Sequence, residues 1–450
     1  MDDESALVRS IVREAPIQRQ NGPKKRNIIV GVGVAPDRER NLDSEGELAM
    51  KTMTTVLAAA LLLVGATGAL AGFDEGMSHF KAGKYLDAVA EFQALVDESP
   101  EYDYGYFMLG VCQVKTGKPA DGERNFAKAI AINGDRFEYH FALANVYQKA
   151  GEYGKVISTL NTAEGLVPDT HKFNFHQLRG FAEAAEKDWE ASVDDLEKAA
   201  ALKSDPRILT QLGKAYFSLG EYVKSVDKLT EATRIQPDAD SFGLMSEAQL
   251  NIAAKSTNEA QKKSRYNDAL SAAQKYVELE PGSADARYIF GRAALGAGQY
   301  DQAIDSFKKV LDSKPDNCNA MANMGKAYIA KKDWANALQA LNNATSCSPG
   351  MAIAWQNKAF VLQKQGSEGK SVKKYGEAIS AYEQADKLKP SSANAKGIET
   401  CRNNIDVIKT NQGIAEAEAE QDAELQAAEE AFAADLAKQE EWKKKTEEDD

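Results

Sequence analysis

Residues 284–317 read ADARYIFGRAALGAGQYDQAIDSFKKVLDSKPDN, one 34-residue unit whose pattern returns along most of the chain. Within it Phe290, Gly291 and Ala294 share one helical face, and Gly298 and Tyr300 break and restart the chain. Ala303, Phe307, Val310 and Leu311 then form a second apolar stripe, which Pro315 stops. The spacing is helical in both halves. Two short amphipathic helices joined by a tight glycine turn cannot bury their apolar faces alone, so each hairpin must stack on copies of itself. A stack of this kind grows without the core-size limit of a globular domain, which suits a chain of 450 residues.

The repeat is in register over a long stretch. The inter-helix glycine stands at Gly83, Gly117 and Gly151, becomes Lys187, returns as Gly220, and continues as Gly298, Lys332 and Gly366. Two places later comes an aromatic residue, at Tyr85, Tyr153, Trp189, Tyr222, Tyr300 and Trp334, with Pro119 in the second repeat. Prolines end the units at Pro100, Pro168, Pro237, Pro281, Pro315, Pro349 and Pro390. Leu109-Gly110, Leu212-Gly213 and Met324-Gly325 place a small residue where neighbouring helices approach, and Ala88, Ala303 and Ala337 do the same in second helices. Phe92, Phe126 and Phe307 fill the gap between hairpins.

These residues resemble the tetratricopeptide repeat family over residues 72–390. The resemblance implies an all-α, right-handed α-solenoid of about nine helix-turn-helix repeats, closed by a capping helix at 391–410 and followed by an acidic, partly helical tail at 411–450. It also implies that the first helices line a concave groove. Projecting the register puts Tyr104, Phe107, Phe141, Asn145 and Gln148 there as an aromatic strip with polar neighbours, suited to an extended or helical peptide. Further along, Lys214, Arg292 and Lys326 make a sparse basic stripe suited to an acidic ligand, for which the chain's own tail is one candidate. The family's clamp for a C-terminal carboxylate needs Lys and then Asn, where this chain has Phe107 and Val111 or Tyr288 and Arg292, so chaperone-tail binding is not expected.

Two repeats carry charged insertions between their helices, near residues 255–265 and 367–374, which are expected to protrude or to lengthen a helix. The net charge of −13 sits mostly at the end: residues 412–450 hold 14 acidic and 4 basic side chains, which is −10 and leaves −3 for the rest. Leu425, Ala428, Phe432 and Leu436 give that tail a thin apolar seam. No broad basic field exists, so nucleic acid is not an expected partner.

The start of the chain reads differently. Lys51, the apolar run from Val56 to Val64 and the small residues Ala69-Leu70-Ala71 follow the order of a secretory signal peptide cleaved between Ala71 and Gly72. Translation is then expected to begin at Met50, with residues 1–49 a disordered leader or a start-site artefact and 50–71 the signal peptide. The rival is an uncleaved anchor made by residues 54–71, the one case in which a membrane is a partner. The NIIVGVGVAP run lacks the third glycine of a dinucleotide turn, since Pro36 stands there, and no βαβ unit follows.

No P-loop, nucleophile elbow, HExxH or CxxC occurs, so no enzyme, metal or cofactor is expected. His79, His140, His171 and His176 lack metal-ligand spacing and are read as half-buried structural imidazoles. Cys318 and Cys347 lie at adjacent ends of one hairpin and are a disulfide candidate in an oxidising compartment. Cys112 is expected buried, and Cys401 free in the cap. The reading is therefore an exported, non-enzymatic protein-interaction scaffold of the cell envelope or periplasm. The alternatives are a binder of a glycan or apolar small molecule, and a membrane-anchored adaptor. The sequence does not set the partner or the oligomeric state.

Overall fold

The computed structural model describes residues 72–448, and among these there is helix but no strand. The leader, the signal-type segment and Ala71 lie outside the described residues. The first hairpin pairs α1 (residues 72–81) with α2 (Tyr85–Glu98), the second α3 (Asp103–Lys115) with α4 (Pro119–Ile132), and the third α5 (Phe137–Ala150) with α6 (Tyr153–Ala163). The fourth joins α7 (Lys172–Ala185) to α8 (Trp189–Leu202), the fifth α9 (Pro206–Ser218) to α10 (Tyr222–Ile235), and the sixth α11 (Ala239–Lys255) to α12 (Glu259–Leu279). The last three are α13 (Ala284–Gly296) with α14 (Tyr300–Ser313), α15 (Cys318–Ala330) with α16 (Trp334–Cys347), and α17 (Ala352–Glu368) with α18 (Val372–Leu388). A nineteenth helix, α19 (Ser392–Glu448), closes the stack. The architecture is an all-α solenoid of nine hairpins, as the repeat predicts.

Where the first helix carries glycine at its small position, the hairpin is held by a close approach. An added Cβ at Gly291 would meet the Phe307 ring at 2.7 Å, and at Gly325 the Leu341 side chain at 2.7 Å. Only the missing side chain lets the two helices come that near. Where the facing alanine of the second helix is a serine, its buried hydroxyl finds a partner: Ser192 Oγ donates to the Gly180 carbonyl at 2.9 Å and Ser225 Oγ to that of Gly213 at 2.7 Å.

The turns follow the same economy. Gly83, Gly117, Gly151, Gly220 and Gly298 adopt φ between +74° and +81°, and Lys187 and Lys332 hold the same left-handed region at 65° and 59°. The ninth hairpin corrects the sequence reading. Gly366 is not its turn but lies inside α17, packed on Tyr375, and the left-handed residue is Lys370. The reason is the insertion, which lengthens α17 and α18 to 17 residues each, where α13 has 13. The other insertion does likewise, giving α11 17 and α12 21 residues.

The cap and the acidic tail form one continuous helix of 57 residues. Its first turns bury Cys401 and lean Ile398, Ile405 and Ile408 on the core built around Tyr375 and Tyr382 of α18. No helix among the described residues is long and apolar enough to cross a membrane.

Candidate functional site: the inner face of the first helices

From the fourth hairpin onward each first helix also touches the first helix of the next hairpin, so these helices form a continuous inner face. The residue after the small interhelical position points along it. In the sixth and seventh repeats these are Glu247 and Arg292, and Arg292 Nη1 donates to Glu247 Oε1 at 3.0 Å. Lys326 is the next member, 34 residues after Arg292. It is half-buried, and its ammonium is pushed below the usual lysine range, first by burial and then by repulsion from Arg292. Lys214, at the equivalent place in the fifth repeat, is exposed. The ninth repeat puts Phe360 there, exposed, with the Lys364 ammonium 5.4 Å from its ring centre.

One turn away, Tyr288 is half-buried beneath the Arg292 guanidinium, 5.8 Å from the ring centre, and its hydroxyl accepts from Asn323 Nδ2 at 3.2 Å. One repeat on, Asn357 takes the place of Asn323 but Ala322 takes that of Tyr288. The Asn357 Nδ2 group is left buried with no acceptor. Half-exposed apolar side chains at Phe217, Leu295 and Ile329 line the edge of the same face. The inner face of the fifth to ninth repeats is thus amphipathic, with its surplus charge positive at Lys214 and Lys326.

The earlier repeats differ, and there the sequence expectation is corrected. Phe107 is 2% exposed and Phe141 7%, so neither presents a face to a ligand. Phe107 stacks on Tyr139 at 4.9 Å and packs on Phe126 at 5.8 Å, while Phe141 stacks on Phe137 at 5.3 Å. Phe107, three residues before Gly110, thus reaches into the gap between the second and third hairpins. Tyr104 is half-buried between Phe73, 5.6 Å away, and the Arg136 guanidinium at 5.8 Å. Asn145 and Gln148 share the face of Phe141 on α5 and stay half-buried, with Asn145 Nδ2 donating to the Phe141 carbonyl at 2.7 Å. Phe107 and Phe141 are core, while Tyr104, Arg292 and Lys326 are half-buried and Lys214 is exposed.

Sequence reasoning also missed a buried charge cluster at the junction of the third and fourth repeats. Arg179 donates through Nη2 to Asp195 Oδ1 and Glu164 Oε1, both at 3.0 Å, and through Nη1 to Asn161 Oδ1 at 3.0 Å. His176 Nδ1 lies 2.9 Å from Asp195 Oδ1. Glu183 lies in the same cluster with Oε2 buried and unpartnered; burial, then the nearby Asp195 charge, raises its carboxyl to about 8. The available signal was Glu183 itself, an acid where Tyr147 and Tyr216 occupy the matching position in adjacent repeats.

The other histidines have local partners. His140 Nε2 lies 2.9 Å from the Gly134 carbonyl, His171 Nδ1 3.0 Å from Thr170 Oγ1, and His79 Nδ1 3.8 Å from Asp87. Among the described residues no group of His, Cys, Asp and Glu is placed to hold a metal. Cys318 and Cys347 are disulfide-bonded with Cα atoms 5.6 Å apart. Burial raises the Cys112 thiol to about 12 and that of Cys401 to about 11, which keeps both protonated and unreactive at neutral pH.

Family comparison agrees with the repeat. Tetratricopeptide-repeat models match residues 294–359, residues 73–121 and 258–317, and residues 352–392. The chain carries tetratricopeptide repeats. Superkiller protein 3 of Schizosaccharomyces pombe is 27% identical over 165 residues, which span 35% of this chain but only 12% of that protein. Among solved structures, MamA (residues 41 to the end) from Desulfovibrio magneticus RS-1 is 21% identical, with 40% of this chain and 97% of that one covered and a TM-score of 0.35. A tetratricopeptide repeat protein from Parabacteroides merdae is 12% identical, with 61% and 98% covered and a TM-score of 0.40.

Proposed function

We propose that this array of tetratricopeptide repeats is a non-catalytic interaction scaffold whose inner face, from the fifth to the ninth repeat, takes an acidic amphipathic protein segment. One observation carries the reading: Lys326 is half-buried on that face, beside Arg292, with no carboxylate of its own. A desolvated lysine without an anion is costly, and a ligand carboxylate relieves that cost on binding. The half-exposed apolar side chains beside it supply the area that a point charge cannot. The glycan or apolar-ligand alternative loses its anchors, because Phe107 and Phe141 are core residues.

The scaffold is proposed to work outside the cytosol. The signal-type order of residues 50–71 supports this, and so does a disulfide in the eighth repeat, a bond that persists in oxidising compartments. Determining the N-terminal residue of the native protein tests it. Gly72 is the expected start, and a native chain retaining residues 54–71 would replace export by anchoring.

The groove itself is tested by placing a photo-crosslinking side chain at position 360 of the full chain, where Phe360 is exposed, and comparing wild type with a Lys214→Glu/Lys326→Glu variant. Saturable crosslinks lost in the variant support an acidic ligand. Crosslinks that survive the charge reversal would sink it.

A further inference from the structure

The occupant of that groove has a candidate on the chain itself. Residues 410–437 of α19 contain eight acidic side chains and no lysine or arginine. From residue 409 to 440 every side chain of this helix is exposed, including Ile414, Leu425, Phe432 and Leu436. Ile414, Leu425 and Leu436 are spaced eleven residues apart, with Phe432 on the same side, so the apolar side chains make a nearly straight seam. Glu416 and Glu420, Glu418 and Asp422, and Glu420 and Glu424 are like-charge pairs at four-residue spacing, which disfavours the helix unless cations approach it. This is a helix with an uncovered apolar face and an uncompensated charge.

We propose that this segment of one copy docks in the inner groove of the fifth to ninth repeats of a second copy. The inference rests on the groove reading above and names its ligand. Three considerations select this occupant. First, the helix runs unbroken from its packing against α18 out to Glu448, so it cannot double back into its own groove without breaking. Second, two tails pairing with each other would bring acidic flanks together along the seam, a repulsive arrangement. Third, the groove supplies what the tail lacks: Lys214 and Lys326 as cations, with Phe360 and Ile329 as apolar contacts. The lengths agree too. Residues 410–437 extend about 42 Å as helix, and five first helices spaced about 9 Å apart span about 36–45 Å. A contact of tail to groove is heterologous, so it propagates head to tail into a ring or a filament.

The test uses the full chain in sedimentation velocity over a range of concentrations. Wild type is expected to self-associate, with the apparent dissociation constant rising roughly tenfold or more between low and high salt. A groove variant, Lys214→Glu/Lys326→Glu, and a seam variant, Leu425→Lys/Phe432→Lys, are each expected to be monomeric with unchanged helical content. Mixing the two is the decisive arm. One retains an intact tail and the other an intact groove, so together they form a dimer that grows no further. A wild-type chain that stays monomeric overturns the proposal, as does a groove variant that still associates, which is the signature of tails pairing with each other. If the chain is monomeric while the groove crosslinks to a foreign acidic segment, the groove reading stands and this occupant is wrong.

Discussion

The second to fourth repeats and the fifth to ninth repeats are built on one register, yet they bury different things. In the early repeats the inner-face positions carry Phe107, Phe141 and Gln177, all buried, and the stack continues through Tyr139, Phe137 and Phe175. In the later repeats the equivalent positions are Thr210, Tyr288 and Gln356, which are half-covered, and Gly243 and Ala322, which are small and buried. One turn on, Lys214 is exposed, whereas Asn145, Phe181 and Lys326 are alike half-buried. The difference shows that one register carries either a buried aromatic ring or a smaller side chain at the same inner-face position, and that the volume placed there is set repeat by repeat.

Side-chain caps begin within the fourth repeat. Asp188, Asp205, Asp238, Asn258, Ser283 and Asn317 accept from backbone amides at the starts of their helices. No such cap occurs on α2 to α7, and α10, α14 and α17 also lack one.

The largest expected effect tests the closed half. Phe107→Ala is expected to destabilise its repeats by about 3–5 kcal/mol, because the cavity opens between three aromatic partners that cannot collapse together. Lys326→Met should change stability little or raise it, since it replaces a desolvated cation by an isosteric apolar chain. In a stacked array the loss is local. Hydrogen exchange should therefore show faster opening over residues 85–163 in the first variant, with residues 284–388 unaffected. Equal behaviour of the two variants would erase the distinction between the halves.

Arg179→Ala comes next, at about 3–5 kcal/mol by urea unfolding, because it leaves Asp195 buried without its main partner. Its neighbour gives the pH dependence. Glu183 is raised in the folded chain to about 8, so its favourable contribution is complete below the ordinary carboxylate range and is lost as pH rises through about 8. Stability attributable to this group should fall between pH 5 and 8. Glu183→Gln should remove that slope and raise the melting temperature at pH 8 by several degrees, roughly the effect of 1–2 kcal/mol. A variant whose pH profile parallels wild type would show that the cluster accommodates the charge.

The disulfide sharpens the other half. Cys318 and Cys347 are 29 residues apart, and Cys318→Ser with Cys347→Ser is expected to cost about 2–4 kcal/mol, confined to the eighth repeat and its neighbours. Reduction of wild type should reproduce the loss without changing the second to fourth repeats. A loss spread over the whole array would mean that the hairpins unfold as one unit.

How much of this was legible in the sequence follows from what a period encodes. The recurrence of Gly83, Gly117 and Gly151 fixes hairpin count and boundaries, since each glycine is a backbone requirement independent of neighbours. The ninth hairpin escaped because an insertion moves the turn: Gly366 keeps its interval but α17 runs through it to Glu368. That Lys214, Arg292 and Lys326 share one register position was readable, because a long cation there has nowhere to go but the surface or a partner. The burial of Phe107 and Phe141 was not, because a phenylalanine at the same position serves either as ligand anchor or as filler. For Phe107 the choice depends on Phe126 and Tyr139, which come from other helices, and for Phe141 on Phe137, one turn earlier on its own helix. The Arg179 cluster joins Asn161, Glu164, Asp195 and Glu183 from three segments, and no single period contains all of them.

The smallest expected effect is the one change that should be blind to the difference between the halves. Lys187 and Lys332 occupy the left-handed turn position that five glycines hold elsewhere, one in the early repeats and one in the late. A side chain there crowds its own backbone, whatever the helices on either side bury. Lys187→Gly and Lys332→Gly should each stabilise by about 0.5–1 kcal/mol, the steric gain being partly offset by the greater freedom of glycine in the unfolded chain. Equal gains by urea unfolding would show that the turn is a self-contained unit, and that the two halves differ in what their helices bury alone. A gain at Lys187 without one at Lys332 would mean that the turns also feel the packing. The contrast between a closed and an open inner face would then extend to the edge of the array.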